Sequence, residues 1–198
     1  MRPFMVGLII GLLAIPVGIY VYFATGMVPV ETSAQAPAFE TMLAKKALHA
    51  RVDKEMPRDV PIEANESNYL AGAQIYRKHC AMCHGLPYEM SPPPIAKGEY
   101  PKPPELLRGK GVTDDPPGES YWKVANGIRL TGMPAYKPTL STAQMWEVSI
   151  LLANADKLPP SVQAVLMQPE TASAPAAVPP APARVPVRPR TRVVPAPH

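Results

Sequence analysis

Both cysteines of this 198-residue chain fall in one short stretch, Arg77 to Gly85, reading RKHCAMCHG. Two thiols three residues apart, with a histidine directly behind the second, restrict the fold more than any other feature, because their user must be met by one turn of backbone. Three chemistries employ cysteines paired this closely: a redox disulfide, half of a zinc site, and thioether attachment of haem. A thioredoxin-type redox pair wants a strand before it and a mixed sheet around it. A structural zinc needs four ligands in a tetrahedron, usually from two separated pairs. The sequence offers neither a strand pattern nor a second pair. Cys80-Ala81-Met82-Cys83-His84 satisfies the third chemistry at every position, since Cys-x-x-Cys-His is the c-type haem attachment pattern. On a helical turn each thiol can add to one vinyl group of the porphyrin, and the next residue points its imidazole at the iron. His79, just ahead of the motif, is read as a bystander.

The amino-terminal segment agrees with export. Phe4 to Ala24 is 21 residues without a charge, and a helix needs ~20 such residues to cross the hydrocarbon core. A cleaved secretory signal is the competing reading, but its apolar region is usually ~7 to 15 residues long and ends at a small-residue cleavage site. Ala34-Gln35-Ala36 offers such a site only well beyond the apolar run, and Pro37 follows it. The segment therefore reads as an uncleaved anchor, residues 1–30. Arg2 and the amino terminus are the only charges before the span, so the positive-inside rule keeps them cytoplasmic and exports the rest. Gly7, Gly11, Ala14 and Gly18 share one helix face, where small residues let another helix approach closely, although glycine is frequent in membrane helices in any case.

Charge excludes one function class. The formal net charge is +4, yet residues 60–160 carry ten Lys/Arg against ten Asp/Glu, so the excess lies at the chain ends. The basic groove with interleaved aromatics that nucleic-acid binding needs is absent.

Residues 31–60 read as a linker followed by a helical spacer, Glu40 to Met56, ended by Pro57. Phe39, Leu43, Ala47 and Ala50 give it a weak apolar face, and its His49 reads as a solvated surface residue. Residues 61–158 read as the packed domain. Asn65 to Lys78 begins with cap-type residues and runs as a helix into the cysteines. Ser141 with Gln144 three residues later forms a capping box before Met145, Trp146, Val148, Ile150, Leu151 and Leu152, and this helix should end near Asn154. Glu119 to Ala125 reads as a shorter helix closed by Asn126-Gly127. Pro87 to Pro117 is so rich in Pro and Gly that loop is expected, and no segment alternates as a strand would. The expected fold class is all-α. Residues 159–198, dominated by Pro, Ala and Val without aromatics, read as an extended, disordered tail.

At this point GAQIYRKHCAMCHG together with NGIRLTGMPAY resembles a class I c-type cytochrome, over roughly residues 65 to 155. The resemblance implies a helical domain around one covalently bound haem c, with Cys80 and Cys83 as thioether positions, His84 as proximal and Met133 as distal iron ligand. It also implies that the helix ending at Cys80 crosses the last helix of the domain, with Gly72 and Tyr76 near Trp146. The segment Pro87 to Pro117 is longer and richer in proline than in the plainest members.

The distal assignment also follows from the other methionines. Iron held by His84 keeps one open position, and a thioether there favours reduced iron. Met82 is trapped between the cysteines. Met90 lies only six residues after His84, a reach of at most ~20 Å, which leaves little chain to round the haem edge. Met145 falls on the apolar side of a helix and reads as core. Met133 sits in a Gly-Met-Pro turn, where Gly132 permits close approach and Pro134 fixes direction. Tyr136 and Trp122 read as haem-pocket or core residues, and Pro94, Ile95, Leu106, Leu107, Ile128 and Leu130 as candidate apolar lining of the haem crevice.

The expected function is electron transfer by a membrane-tethered monohaem cytochrome on the periplasmic side of a bacterial cytoplasmic membrane, a carrier rather than an enzyme. Its expected partners are a quinol-oxidising complex, a terminal oxidase or a photosynthetic reaction centre. Two rivals differ in class: a haem enzyme or gas sensor with a labile distal ligand, and a structural subunit of a membrane complex that happens to carry haem.

Overall fold

Stop and start signals in the sequence delimit the helices of the computed structural model, which describes residues 2–169. The elements are α1 (Arg2–Ala24), α2 (Ala38–Glu55), α3 (Glu66–His79), α4 (Ala81–His84), α5 (Pro94–Gly98), α6 (Pro117–Asn126), α7 (Thr142–Ala153) and α8 (Pro160–Met167). No strand occurs among the described residues, so the fold is all-α as expected. Asn65 caps α3 by accepting from the Asn68 amide at 3.0 Å. Ser141 and Gln144 complete the capping box of α7 in both directions, and Gly127 closes α6 at φ 65°, a conformation that glycine adopts without strain.

The core lies where α3 crosses α7, with α6 against α7 and α8 against α3. Tyr76, Val148 and Leu151 are fully buried there. At the crossing, a Cβ added to Gly72 would lie 2.3 Å from the Glu147 carbonyl oxygen and 3.2 Å from Leu151 Cβ. Glycine at that position lets two helix backbones touch, which brings the end of α3, and with it the cysteines, onto the core. Trp146 is buried and stacks on Tyr121, ring centroids 4.2 Å apart, and the atoms nearest a Gly72 Cβ belong to Glu147 and Leu151.

Two expectations about the flanks need correction. The spacer helix forms, but the apolar face assigned to Phe39, Leu43, Ala47 and Ala50 is exposed. Its buried residues are Val52 and Met56, 1% and 7% exposed, because only the end of α2 reaches α6. There the Pro57 carbonyl occupies the space beside Gly118, and Trp122 donates from Nε1 to Glu55 at 3.2 Å. Trp122 thus fastens α2. The tail expected to be irregular from 159 begins with α8, where Pro160 starts a helix and Val162 and Leu166, four residues apart, are buried on α3. Proline at a helix start costs no hydrogen bond, and the proline count of the whole tail masked this short apolar repeat. Ser161 also bonds the Glu66 carboxylate at the start of α3. The remainder of the expected tail, 170–198, lies outside the described residues.

Pro3–Ala24 is long and apolar enough to cross a membrane by length and composition. Pro16 interrupts neither its length nor its helical assignment.

Candidate haem site

The motif is presented by a helix end that turns sharply. The Cys80 amide closes α3 on the Tyr76 carbonyl at 2.8 Å, and the amides of Cys83 and His84 both return to the Cys80 carbonyl, at 3.1 and 2.9 Å. Cys80, Cys83 and His84 therefore lie on one tight turn, α4. Gly85 ends it at φ 74°, and the buried Tyr76 hydroxyl donates to the Gly85 carbonyl at 2.8 Å. That bond ties the exit of the turn back to the helix that entered it. Burial raises the Tyr76 pKa well above the ordinary phenol value, so it remains a donor at any physiological pH.

His84 is half-buried, and its Nδ1 lies 2.8 Å from the Pro104 carbonyl oxygen. A carbonyl only accepts, so Nδ1 carries the proton and donates. The Nε2 lone pair is thereby left free, and the bond to the carbonyl orients the ring and increases its basicity. Burial lowers the His84 pKa, opposed by this hydrogen bond and by Glu99. The imidazole is therefore held neutral, as a metal ligand must be.

Met133 belongs to a loop strapped at both ends. Its carbonyl accepts from the Ile128 amide at 3.2 Å, and its amide donates to the Thr131 hydroxyl at 3.1 Å. That hydroxyl in turn donates to the Ile128 carbonyl at 2.7 Å. A Cβ on Gly127 would lie 2.7 Å from the Ala135 nitrogen and 2.9 Å from the Met133 oxygen, so the end of α6 and the Met133 loop are in backbone contact. Three residues on, the Tyr136 hydroxyl donates to the His79 carbonyl at 2.6 Å. His79 thus anchors the loop through its backbone, and Tyr136 joins the loop to the motif. Burial first, then Cys80 and Cys83, push the Tyr136 pKa up to about 12.

Glu99 was not anticipated from the sequence. Its carboxylate accepts from the Cys83 thiol at 3.5 Å, and it lies 2.7 to 2.8 Å from where a Gly132 Cβ would be. One side chain therefore touches both the cysteine turn and the methionine loop, which places these sequence-distant segments against the same space. The expected lining divides. Leu106 and Leu107 pack against the core and Ile128 is half-buried, whereas Pro94 and Ile95 face outward and Leu130 is 92% exposed. Leu130 holds a positive φ of 62°, which turns its side chain out of the loop. Met82 and Met90 are exposed, and Met145 is buried core, as its place on the apolar side of α7 suggests.

The donor set discriminates between the three cysteine chemistries. The thiols are free. Burial, followed by the neighbouring Cys83, raises the Cys80 pKa to about 12, and burial with Glu99 raises that of Cys83. Reactive redox cysteines need the opposite shift. No group of three or more His, Cys, Asp or Glu among the described residues could hold a metal ion, so a zinc site lacks its ligands. Two free thiols on one turn, a neutral imidazole with its outer nitrogen unengaged and a thioether loop tied to that turn all fit haem.

Residues 67–150 match the family described as cytochrome c oxidase, cbb3-type, subunit III. The matched segment is a c-type cytochrome domain. Such a domain carries covalently bound haem c and transfers electrons. The matched segment begins inside α3 and ends inside α7, leaving α1, α2 and α8 outside it. Comparison with curated proteins gives no match. Among solved structures, a chain of the reducing HAO-like protein complex of Kuenenia stuttgartiensis is similar at 26% identity and a TM-score of 0.42, over 51% of this chain and 50% of that one. The chain thus spans about half the length of that relative.

Pro104 and Glu99 lie in the proline-rich segment that the sequence marks only as loop. A backbone carbonyl has no sequence signature of its own, so Pro104 was not legible. Glu99 is one acidic residue among ten in its part of the chain.

Proposed function

We propose that the chain is a one-electron carrier, a monohaem c-type cytochrome tethered by α1 to a bacterial cytoplasmic membrane with its haem domain on the periplasmic side. Cys80 and Cys83 are the thioether positions, His84 the proximal ligand and Met133 the distal ligand. The observation that carries this reading is the bond from His84 Nδ1 to the Pro104 carbonyl, which leaves the opposite ring nitrogen as the free base on the same turn as two unpaired thiols.

Bound haem c supplies a one-electron Fe(III)/Fe(II) couple. His84 enters neutral and pre-oriented, so ligation requires neither loss of a proton nor a search for rotamers. The bonds from Ile128, Thr131 and Tyr136 hold the Met133 loop in one arrangement, and a thioether on that side favours reduced iron. With both His84 and Met133 as ligands, bound haem c would keep no position free for a substrate, which supports a carrier over an enzyme or a gas sensor. The tether raises the effective concentration of the carrier at fixed neighbours. A quinol-oxidising complex, a terminal oxidase or a photosynthetic reaction centre has the chemistry required of such a partner. In α1, nothing lies within 4 Å of a Cβ built on Gly7, Gly11 or Gly18, so this face is open to a partner helix.

Met133→Ala tests the ligand set. The variant should lose the near-red charge-transfer band of ferric Met-ligated haem and, once reduced, bind carbon monoxide rapidly, whereas the parent protein should not. A parent protein that binds carbon monoxide as fast as the variant would transfer the reading to a sensor or enzyme.

A further inference from the structure

Helix α2 presents two different faces along its length. Its carboxy-terminal end is docked, with Val52 and Met56 buried against the domain. Its amino-terminal half leaves Phe39, Met42 and Leu43 at 59%, 60% and 55% exposure. Spaced i, i+3 and i+4, these three share one side of the helix. At about 100° per residue that side is rotated by about a third of a turn from Val52 and Met56. The docking that covers one face therefore does nothing to cover the other. The only side-chain hydrogen bond of this half to the domain among the described residues is Thr41 to the Tyr100 hydroxyl, at 3.2 Å.

Charge is divided the same way. Toward the docked end, Arg51 pairs with Glu55 at 2.7 Å. Lys45 and Lys46, next to the exposed apolar residues, form no ion pair among the described residues, and only Glu40 opposes them in this half. Lys46 falls on the same side as Phe39, Met42 and Leu43. An apolar strip flanked by unpaired lysines matches a membrane surface, where apolar side chains enter the acyl boundary and lysines extend to anionic headgroups. Such a surface is at hand if α1 is an anchor, because only residues 25–37 separate the two helices.

We propose that the amino-terminal half of α2 lies in the outer interface of the membrane that α1 spans, with Phe39, Met42 and Leu43 in the acyl boundary and Lys46 among the headgroups. The inference rests on the membrane-anchor reading of α1. It deepens that reading, because a helix embedded at one end and docked on α6 at the other sets how the haem domain faces the membrane. The domain would then be held in a limited set of orientations instead of swinging on a free linker.

Site-directed spin labelling of the haem-loaded full chain tests this in nanodiscs of phosphatidylethanolamine and phosphatidylglycerol. Haem attachment consumes both native thiols, so an introduced cysteine is the single labelling position. Three variants are compared: Leu12→Cys within α1, Leu43→Cys on the exposed face of α2, and Asp156→Cys on the domain surface. Labels at Leu12→Cys and Leu43→Cys should collide with oxygen several-fold more often, relative to a water-soluble nickel chelate, than the label at Asp156→Cys. A lipid-immersed label at Leu12→Cys with a water-like label at Leu43→Cys would overturn the α2 inference while leaving the anchor in place. A water-like label at both would overturn the anchor and the inference together. A label at Leu43→Cys shielded from oxygen and nickel alike would show a protein contact there and also overturn it.

Discussion

Replacing Gly72 by alanine isolates the contact on which delivery of the haem motif depends. The added Cβ would stand 2.3 Å from the Glu147 carbonyl oxygen, 2.8 Å from the Glu147 carbonyl carbon and 3.2 Å from Leu151 Cβ. The first two atoms are backbone and cannot rotate away, so α3 and α7 must part by about 1 Å to restore van der Waals contact. Overpacking of a tight core costs about 1–3 kcal/mol, and a backbone neighbour puts this site at the upper end. Alanine returns about 1 kcal/mol through its better helix propensity, leaving a net loss of about 2 kcal/mol. For a domain of this size that is a fall of about 8 °C in melting temperature. Denaturation of the haem-loaded protein, followed by helical circular dichroism and by Soret absorbance, measures it. Gly98→Ala is the control, since nothing lies within 4 Å of the added atom there, and it should be neutral. A Gly72→Ala protein as stable as its parent would refute the claim that this crossing is close-packed by necessity.

Two other substitutions test neighbouring parts of the structure. Leu166→Ala should destabilise the domain by about 2–3 kcal/mol, within the usual range for a buried leucine, because Leu166 is 2% exposed on α3; an unchanged denaturation midpoint would return α8 to the tail. Gly127→Ala should strain a backbone held at φ 65° and push on the Met133 loop through the Ala135 and Met133 backbone. Its near-red ferric band should weaken while the Soret band persists, and an unaltered band would show that the loop tolerates the displacement.

Features governed by local chemistry could be read from residues alone. The cap at Asn65, the box at Ser141 and Gln144 and the stop at Gly127 each depend on side chains within four positions, and each forms as its pattern implies. The motif from Cys80 to His84 is equally local. What escaped the sequence depends on long-range partners. Trp122 reads as pocket or core until Glu55, 67 positions away, is seen to accept its indole proton. The weak apolar face of α2 at Phe39, Leu43, Ala47 and Ala50 stays exposed, while Val52 and Met56 are buried, because α6 packs only against the end of that helix. Pro160 to Met167 has the composition of the tail around it and becomes helical by packing on α3. At the site, the carbonyl of Pro104 and the carboxylate of Glu99 act through position, which no residue pattern records.

The most direct test of the account is the mass of the peptide holding residues 78–85, released from haem-loaded protein made with a c-type maturation system. The account predicts a peptide heavier by one haem, with neither Cys80 nor Cys83 open to alkylation. A peptide of unmodified mass with two alkylatable thiols, from protein that nevertheless folds, would contradict it.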